Sequence, residues 1–100
     1  MKYGLKESTI AAIQSVFIKY PGVKEVILYG SRAKGNFRNA SDIDLMLVGE
    51  SLTLSDLFKI ETELDDLLLP YKIDLAVYHQ IENKELVAHI DRVGVVFFEK

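Results

Sequence analysis

Two apolar runs of similar design, Asp42–Val48 (DIDLMLV) and Lys72–Tyr78 (KIDLAVY), flank a stretch that reads as a helix. Each run is short, aliphatic and bounded by turn-forming residues, as strands are. A connection of about twenty residues that contains a helix is a crossover, and crossovers normally join parallel strands. The chain must therefore set the amino ends of both strands at one edge of one sheet. The crossover helix is expected over Leu54–Leu69, with Leu57, Ile60, Leu64 and Leu67 on one face and Pro70 as its stop. Its acidic residues Asp56, Glu61, Glu63, Asp65 and Asp66 then form a wet face.

The rest of the chain alternates in the same way. Ile10, Ile13, Phe17 and Tyr20 recur at helical spacing, which predicts a helix over Ser8–Tyr20, stopped by Pro21-Gly22. Lys24–Tyr29 (KEVILY) reads as a strand. Gly30–Ser41 is polar and glycine-containing, with room for one helical turn at GSRAKG before a loop from Asn36 to Ser41. Asn83 suits the cap of a helix striped by Leu86, Ile90 and Val93, with Gly94 as a C-terminal cap and Val95–Phe98 as a fourth strand. The order αβ(α)βαβαβ predicts an α/β (α+β) fold, a small mixed sheet with helices packed on it. At 100 residues this is one domain, 1–100.

Composition excludes several functions. There is no cysteine, hence no disulfide and no thiolate zinc site, and His79 and His89 lack a third ligand nearby in sequence. A net charge of −3 argues against a dedicated duplex-DNA binder. No apolar run has the roughly 18 residues needed to span a bilayer, and no signal peptide is visible, so the cytoplasm is the expected location.

Aspartate is depleted in strands, because it competes for backbone hydrogen bonds and is costly to bury. Yet Asp42 and Asp44 open one strand, two residues apart and so on one face, and Asp74 lies near the start of the other. Parallel pairing lets all three converge. Their mutual repulsion calls for a cation, and an all-oxygen donor set suits Mg²⁺ or Mn²⁺. If Lys24–Tyr29 runs antiparallel to Asp42–Val48, Gly30-Ser31 arrives beside these carboxylates. Gly30 permits close backbone approach, and Ser31 offers a hydroxyl and backbone N–H groups to phosphate. Arg32, Lys34 and Arg38 add cations in the same loop, and Ser41 suits a supporting place in its turn. Carboxylates for two metal ions, with Gly-Ser and cations for phosphate, make a nucleoside triphosphate site.

Gly30-Ser31-Arg32-Ala33-Lys34-Gly35, Arg38 and Ser41-Asp42-Ile43-Asp44-Leu45, followed by Asp74, resemble the signature of the minimal nucleotidyltransferases of the DNA polymerase beta-like superfamily. The likeness runs from Val26 to about Phe98, and DxD alone would be a weak signal. It implies the polymerase-beta-like nucleotidyltransferase fold. It implies Asp42, Asp44 and Asp74 as catalytic and metal-binding residues, and Gly30, Ser31, Arg32, Lys34 and Arg38 as nucleotide-binding residues. It also implies Mg²⁺-dependent transfer of AMP from ATP to a tyrosine of a helical HEPN-domain toxin, which this chain would neutralise as antitoxin. Nucleic acid is not the expected direct substrate. The chain has no room for a separate acceptor domain, so it should borrow an acceptor surface by homo- or hetero-oligomerisation. Two rivals are a non-catalytic nucleotide-binding antitoxin that acts by covering its partner, and a transferase with a small-molecule acceptor such as an aminoglycoside. The bland reading makes Asp42, Asp44 and Asp74 solvated strand starts, Gly30-Ser31 a turn, and the cations a wet loop face.

Overall fold

The computed structural model describes every residue from Met1 to Lys100. In chain order it has α1 (Glu7–Ile18), β1 (Glu25–Tyr29), α2 (Gly30–Lys34), β2 (Ile43–Val48), α3 (Leu54–Asp65), β3 (Ile73–Val77), a 3₁₀ turn at Tyr78–Gln80, α4 (Lys84–Val93) and β4 (Val95–Glu99). The four strands lie in the order β3-β2-β1-β4. The crossover through α3 makes β2 and β3 parallel, while β1 runs antiparallel to both β2 and β4.

Strand periodicity divides the sheet into two faces. Val26 and Leu28 of β1 and Ile43, Leu45 and Leu47 of β2 face α1 and α3, where Ile13, Val16, Phe17, Ile60 and Leu64 complete the core. Tyr29, Asp44 and Asp74 occupy the alternate positions and so belong to the other face. In β4 the pairing steps from Phe98 to Val96 as β1 passes from Val26 to Ile27, leaving Phe97 as the extra residue of a bulge. That extra residue lets Phe97 be buried while Phe98 still meets the Phe17 ring, at 5.8 Å between centroids.

Several boundaries depart from expectation: α1 closes at Ile18, two residues before the expected Tyr20, and Tyr78 leaves β3 for the 3₁₀ turn. The crossover helix stops at Asp65, four residues before the expected Leu69. The chain tightens there into i→i+3 bonds, and Leu68 takes a left-handed φ of 54°, which no helix continues. Gly94 follows α4 as expected, but its φ is −63°, so it is no left-handed cap. The position is close-packed instead: a Cβ there would lie 2.5 Å from the Ile90 carbonyl oxygen and 2.6 Å from Ile27 Cγ2. Asp42 lies just before β2 rather than within it. Asn83 caps α4 as expected, its side-chain oxygen accepting from the N–H groups of Glu85 and Leu86.

Candidate active site

Hydrogen-bonded register brings the chemistry together. Asp44 pairs with Tyr29 of β1 on one side and with Asp74 of β3 on the other. The strand that ends at Tyr29 therefore delivers Gly30 directly against Asp44. Gly30 has a φ of 73°, and a Cβ there would sit 2.3 Å from Asp44 Oδ2. Only glycine fits both the backbone conformation and that approach.

Asp44 and Asp74 sit side by side in register, and Asp42, two residues before Asp44, is near enough for its charge to act on it. Burial raises the Asp44 carboxyl above its ordinary pKa, and the Asp74 and Asp42 charges and a hydrogen bond shared with Asp74 push the same way. His89 opposes the shift. Asp44 and Asp74 are the close pair, while Asp42 is exposed beside them. No three His, Cys, Asp or Glu side chains form a preassembled ion cage. The donor chemistry itself, carboxylate oxygen without thiolate, is the kind that suits a hard cation such as Mg²⁺.

Of the basic residues in the loop, Arg32 corrects the sequence reading. It was expected on phosphate, but its side chain is turned inward and is 2% exposed. Its Nε and Nη2 donate to the Ser41 carbonyl at 3.2 and 2.9 Å, Nη2 also donates to the Asn39 carbonyl at 3.2 Å, and Nη1 donates to the Tyr3 carbonyl at 2.9 Å. The guanidinium carbon lies 5.2 Å from the Phe37 ring centroid and 4.9 Å from that of Tyr71. A side chain so engaged cannot reach a triphosphate on the carboxylate face. Lys34 and Arg38 remain exposed and their side chains make no ion pair or hydrogen bond within the chain. Ser31 is half-buried, and Ser41 Oγ accepts from the Arg38 N–H at 2.7 Å, closing the turn that leads into Asp42.

Three neighbours of the site escaped the sequence reading. Lys72 Nζ stands 3.5 Å from Asp74 Oδ1. Tyr29 is half-buried, and burial, then the Asp44 and Asp74 charges, push its hydroxyl pKa up. His89 of α4 meets the Tyr29 ring edge-on at 6.3 Å between centroids. The parity of Tyr29 with Asp44 was readable once β1 and β2 were paired, and Lys72 stands two residues before Asp74. Nothing local to α4 marks His89.

Two concavities lie away from the carboxylates. One, of about 610 Å³, is lined by Tyr20, Ser55, Phe58, Lys59, Thr62 and Glu63. The other, of about 420 Å³, lies at the opposite ends of β2 and β3 beside Val48, Gly49 and Tyr78. The carboxylates themselves occupy an open sheet edge, and their chemistry, not cavity volume, marks the site.

The family described as "Polymerase beta, Nucleotidyltransferase" matches residues 11–100. A curated relative from Methanocaldococcus jannaschii, "Putative protein adenylyltransferase MJ0435", is 34% identical over 61 residues, covering 60% of this chain and 64% of the relative. The chain thus spans under two thirds of that relative's length. Among solved structures, a chain of a toxin–antitoxin structure with AMP-PNP superposes with a TM-score of 0.72 at 20% identity, over 96% of this chain and 75% of that one. A chain of the tri-AMPylated Shewanella oneidensis HEPN toxin in complex with MNT antitoxin superposes with a TM-score of 0.70 at 15% identity, over 96% and 74%. At these identities the superpositions carry the fold, a small mixed sheet of the polymerase-beta-like kind.

Proposed function

On the premise that this chain belongs to the polymerase beta nucleotidyltransferase family, and so is a nucleotidyltransferase, we propose that it moves AMP from ATP to a tyrosine of a HEPN-type toxin. The observation that carries this is the contact of Gly30 with Asp44, itself paired in register with Asp74. A triphosphate laid on Gly30-Ser31 would meet the carboxylates at its α-phosphate. Asp42, Asp44 and Asp74 would hold two Mg²⁺ ions, whose charge stabilises the attacking and leaving oxygens of an in-line displacement. Ser31 would hold phosphate through its hydroxyl, and Lys34 and Arg38, both free to move, would meet the β- and γ-phosphates. Asp74, half-exposed on the edge strand β3, would accept the proton of the acceptor hydroxyl. That oxygen bonds to the α-phosphorus, the bridge to the β-phosphate breaks, and pyrophosphate leaves.

The carboxylates lie on an open sheet edge, which a macromolecular acceptor could approach. The complexes with HEPN toxin and with AMP-PNP among similar folds support the partner and the donor. Tyrosine fits because a phenol, with a pKa of about 10, deprotonates more readily than an aliphatic hydroxyl. The test is to mix the purified chain, Mg²⁺, ATP and the product of the neighbouring gene, and to read intact masses. The partner should gain the adenylyl increment, mapped to tyrosine by fragmentation. Label found on a small molecule or an RNA end, and never on the protein, would refute the assignment of the acceptor.

A further inference from the structure

Arg32 is a buried cation with no carboxylate partner, although the basic loop around it reads as a phosphate grip. Four of its N–H···O bonds end on backbone carbonyls from two separate segments, Tyr3 and the pair Asn39 and Ser41. Two aromatic faces from Phe37 and Tyr71 stack on it. The N-terminal turn closes on the same assembly: Tyr3 has a φ of 59°, and a Cβ on Gly4 would lie 2.2 Å from Phe37 Cε2 and 3.0 Å from Arg32 Nη1. The bidentate grip falls on the Ser41 carbonyl, which belongs to the peptide bond of Asp42. A forked pair of donors on one oxygen constrains the orientation of that peptide plane. Tyr71 lies three residues before Asp74.

We infer that Arg32 is a positioning residue: its guanidinium clamps the peptide preceding Asp42 and thereby holds the Asp42 carboxylate against Asp44 and Asp74. This rests on the proposed use of those carboxylates to hold a divalent ion with the nucleotide. Arg32 itself touches neither. It ties the helix that carries Gly30-Ser31 to the loop that presents Asp42, and so sets the spacing between the phosphate side and the carboxylate side of the site. Lysine in its place keeps the charge but has neither the fork nor the planar stack.

The experiment measures binding of AMP-PNP to the full chain, with Mn²⁺ and separately with EDTA, for wild type, Arg32→Lys, Asp42→Asn and the double variant. Circular dichroism establishes that each is folded. Wild type should bind the analogue more tightly with Mn²⁺. Arg32→Lys should lose about tenfold of that Mn²⁺-dependent gain, as loss of a partner behind a metal ligand does, with binding in EDTA unchanged. In the Asp42→Asn background the same substitution should remove nothing further. Phe37→Leu, which thins the stack but spares the charge, should give a smaller loss of the same kind and serves if Arg32→Lys does not fold. Weaker binding in EDTA would mean that Arg32 holds phosphate after all. A full Mn²⁺ gain in Arg32→Lys and Phe37→Leu, or an undiminished loss in the Asp42→Asn background, would overturn the positioning role while leaving the reading of the site intact. Absence of any Mn²⁺ gain in wild type would instead overturn the metal reading, and this inference with it.

Discussion

Asp44 is held in a setting that disfavours its charge, and this has opposite consequences for stability and for catalysis. Its carboxyl pKa is raised from 3.8 by burial and by Asp74 and Asp42, so the folded state holds that proton more tightly than the unfolded chain does. The sign follows from linkage: stability from this group is complete below about pH 3.8 and is lost as pH rises through the raised value. Asp44→Asn should therefore melt at a slightly higher temperature than wild type near neutrality without metal. The difference should close as the solution is acidified into the carboxylate range, while adenylyl transfer falls by orders of magnitude at every pH. Scanning calorimetry against pH, beside a transfer assay, checks both. Gly30→Ala should abolish transfer as well, through strain at φ 73° and collision with Asp44 Oδ2. Arg32→Ala would strip charged donors from three part-buried carbonyls and should cost about 3 kcal/mol in urea unfolding. The aspartates were legible because a carboxylate in an apolar strand is conspicuous. The direction of Arg32 was not, since a basic residue after Gly-Ser reads alike whether it turns out to phosphate or in toward Phe37 and Tyr71. Only the packing of a distant segment decides.

Among the elements, α3 begins in a reciprocal cap: Thr53 Oγ1 accepts from the Asp56 N–H at 3.2 Å, and Asp56 Oδ2 accepts from the Thr53 N–H at 3.0 Å. Thr53→Ala should cost about 1 kcal/mol, lowering Tm by roughly 4–8 °C in a chain of this size, with transfer rates unchanged. At the other end of the core layer, Glu63 of α3 accepts from both Lys19 and Tyr20, tying α3 to the end of α1. The bond to Glu63, more than burial, pushes the Tyr20 hydroxyl from 10.0 up to about 12. A phenol whose folded pKa is raised stabilises the fold below its unfolded pKa and ceases to do so as pH climbs from 10 to about 12. Alkaline melts should accordingly fall across that window, less steeply in Tyr20→Phe. Element identity and strand direction followed from periodicity and from the crossover, but the ends did not. Leu67–Leu69 continue the apolar stripe of α3, and only the backbone turn at Leu68 shows that the helix has already stopped.

For the molecule as a whole, ligand binding should register in global stability. At a hundred times the dissociation constant, a nucleotide bound only by the folded state adds about 2.7 kcal/mol, so ATP with Mg²⁺ should raise the Tm of wild type by roughly 10 °C or more. Chelation of Mg²⁺ should remove most of that rise, and Asp44→Asn should not show it. The mixed sheet also separates two territories. The amino ends of β2 and β3 and the carboxyl end of β1 share one edge with Gly30, Asp42 and Asp74, while Lys24, Gly49 to Leu52 and Tyr78 gather at the opposite edge. There Glu50 and Ser51 are exposed between a buried Gly49 and a buried Leu52. That division makes the far edge the natural place to graft foreign sequence. A reporter or tether spliced between Glu50 and Ser51 would leave the carboxylate edge unobstructed, and a lineage could lengthen this loop freely while the chemistry stayed fixed.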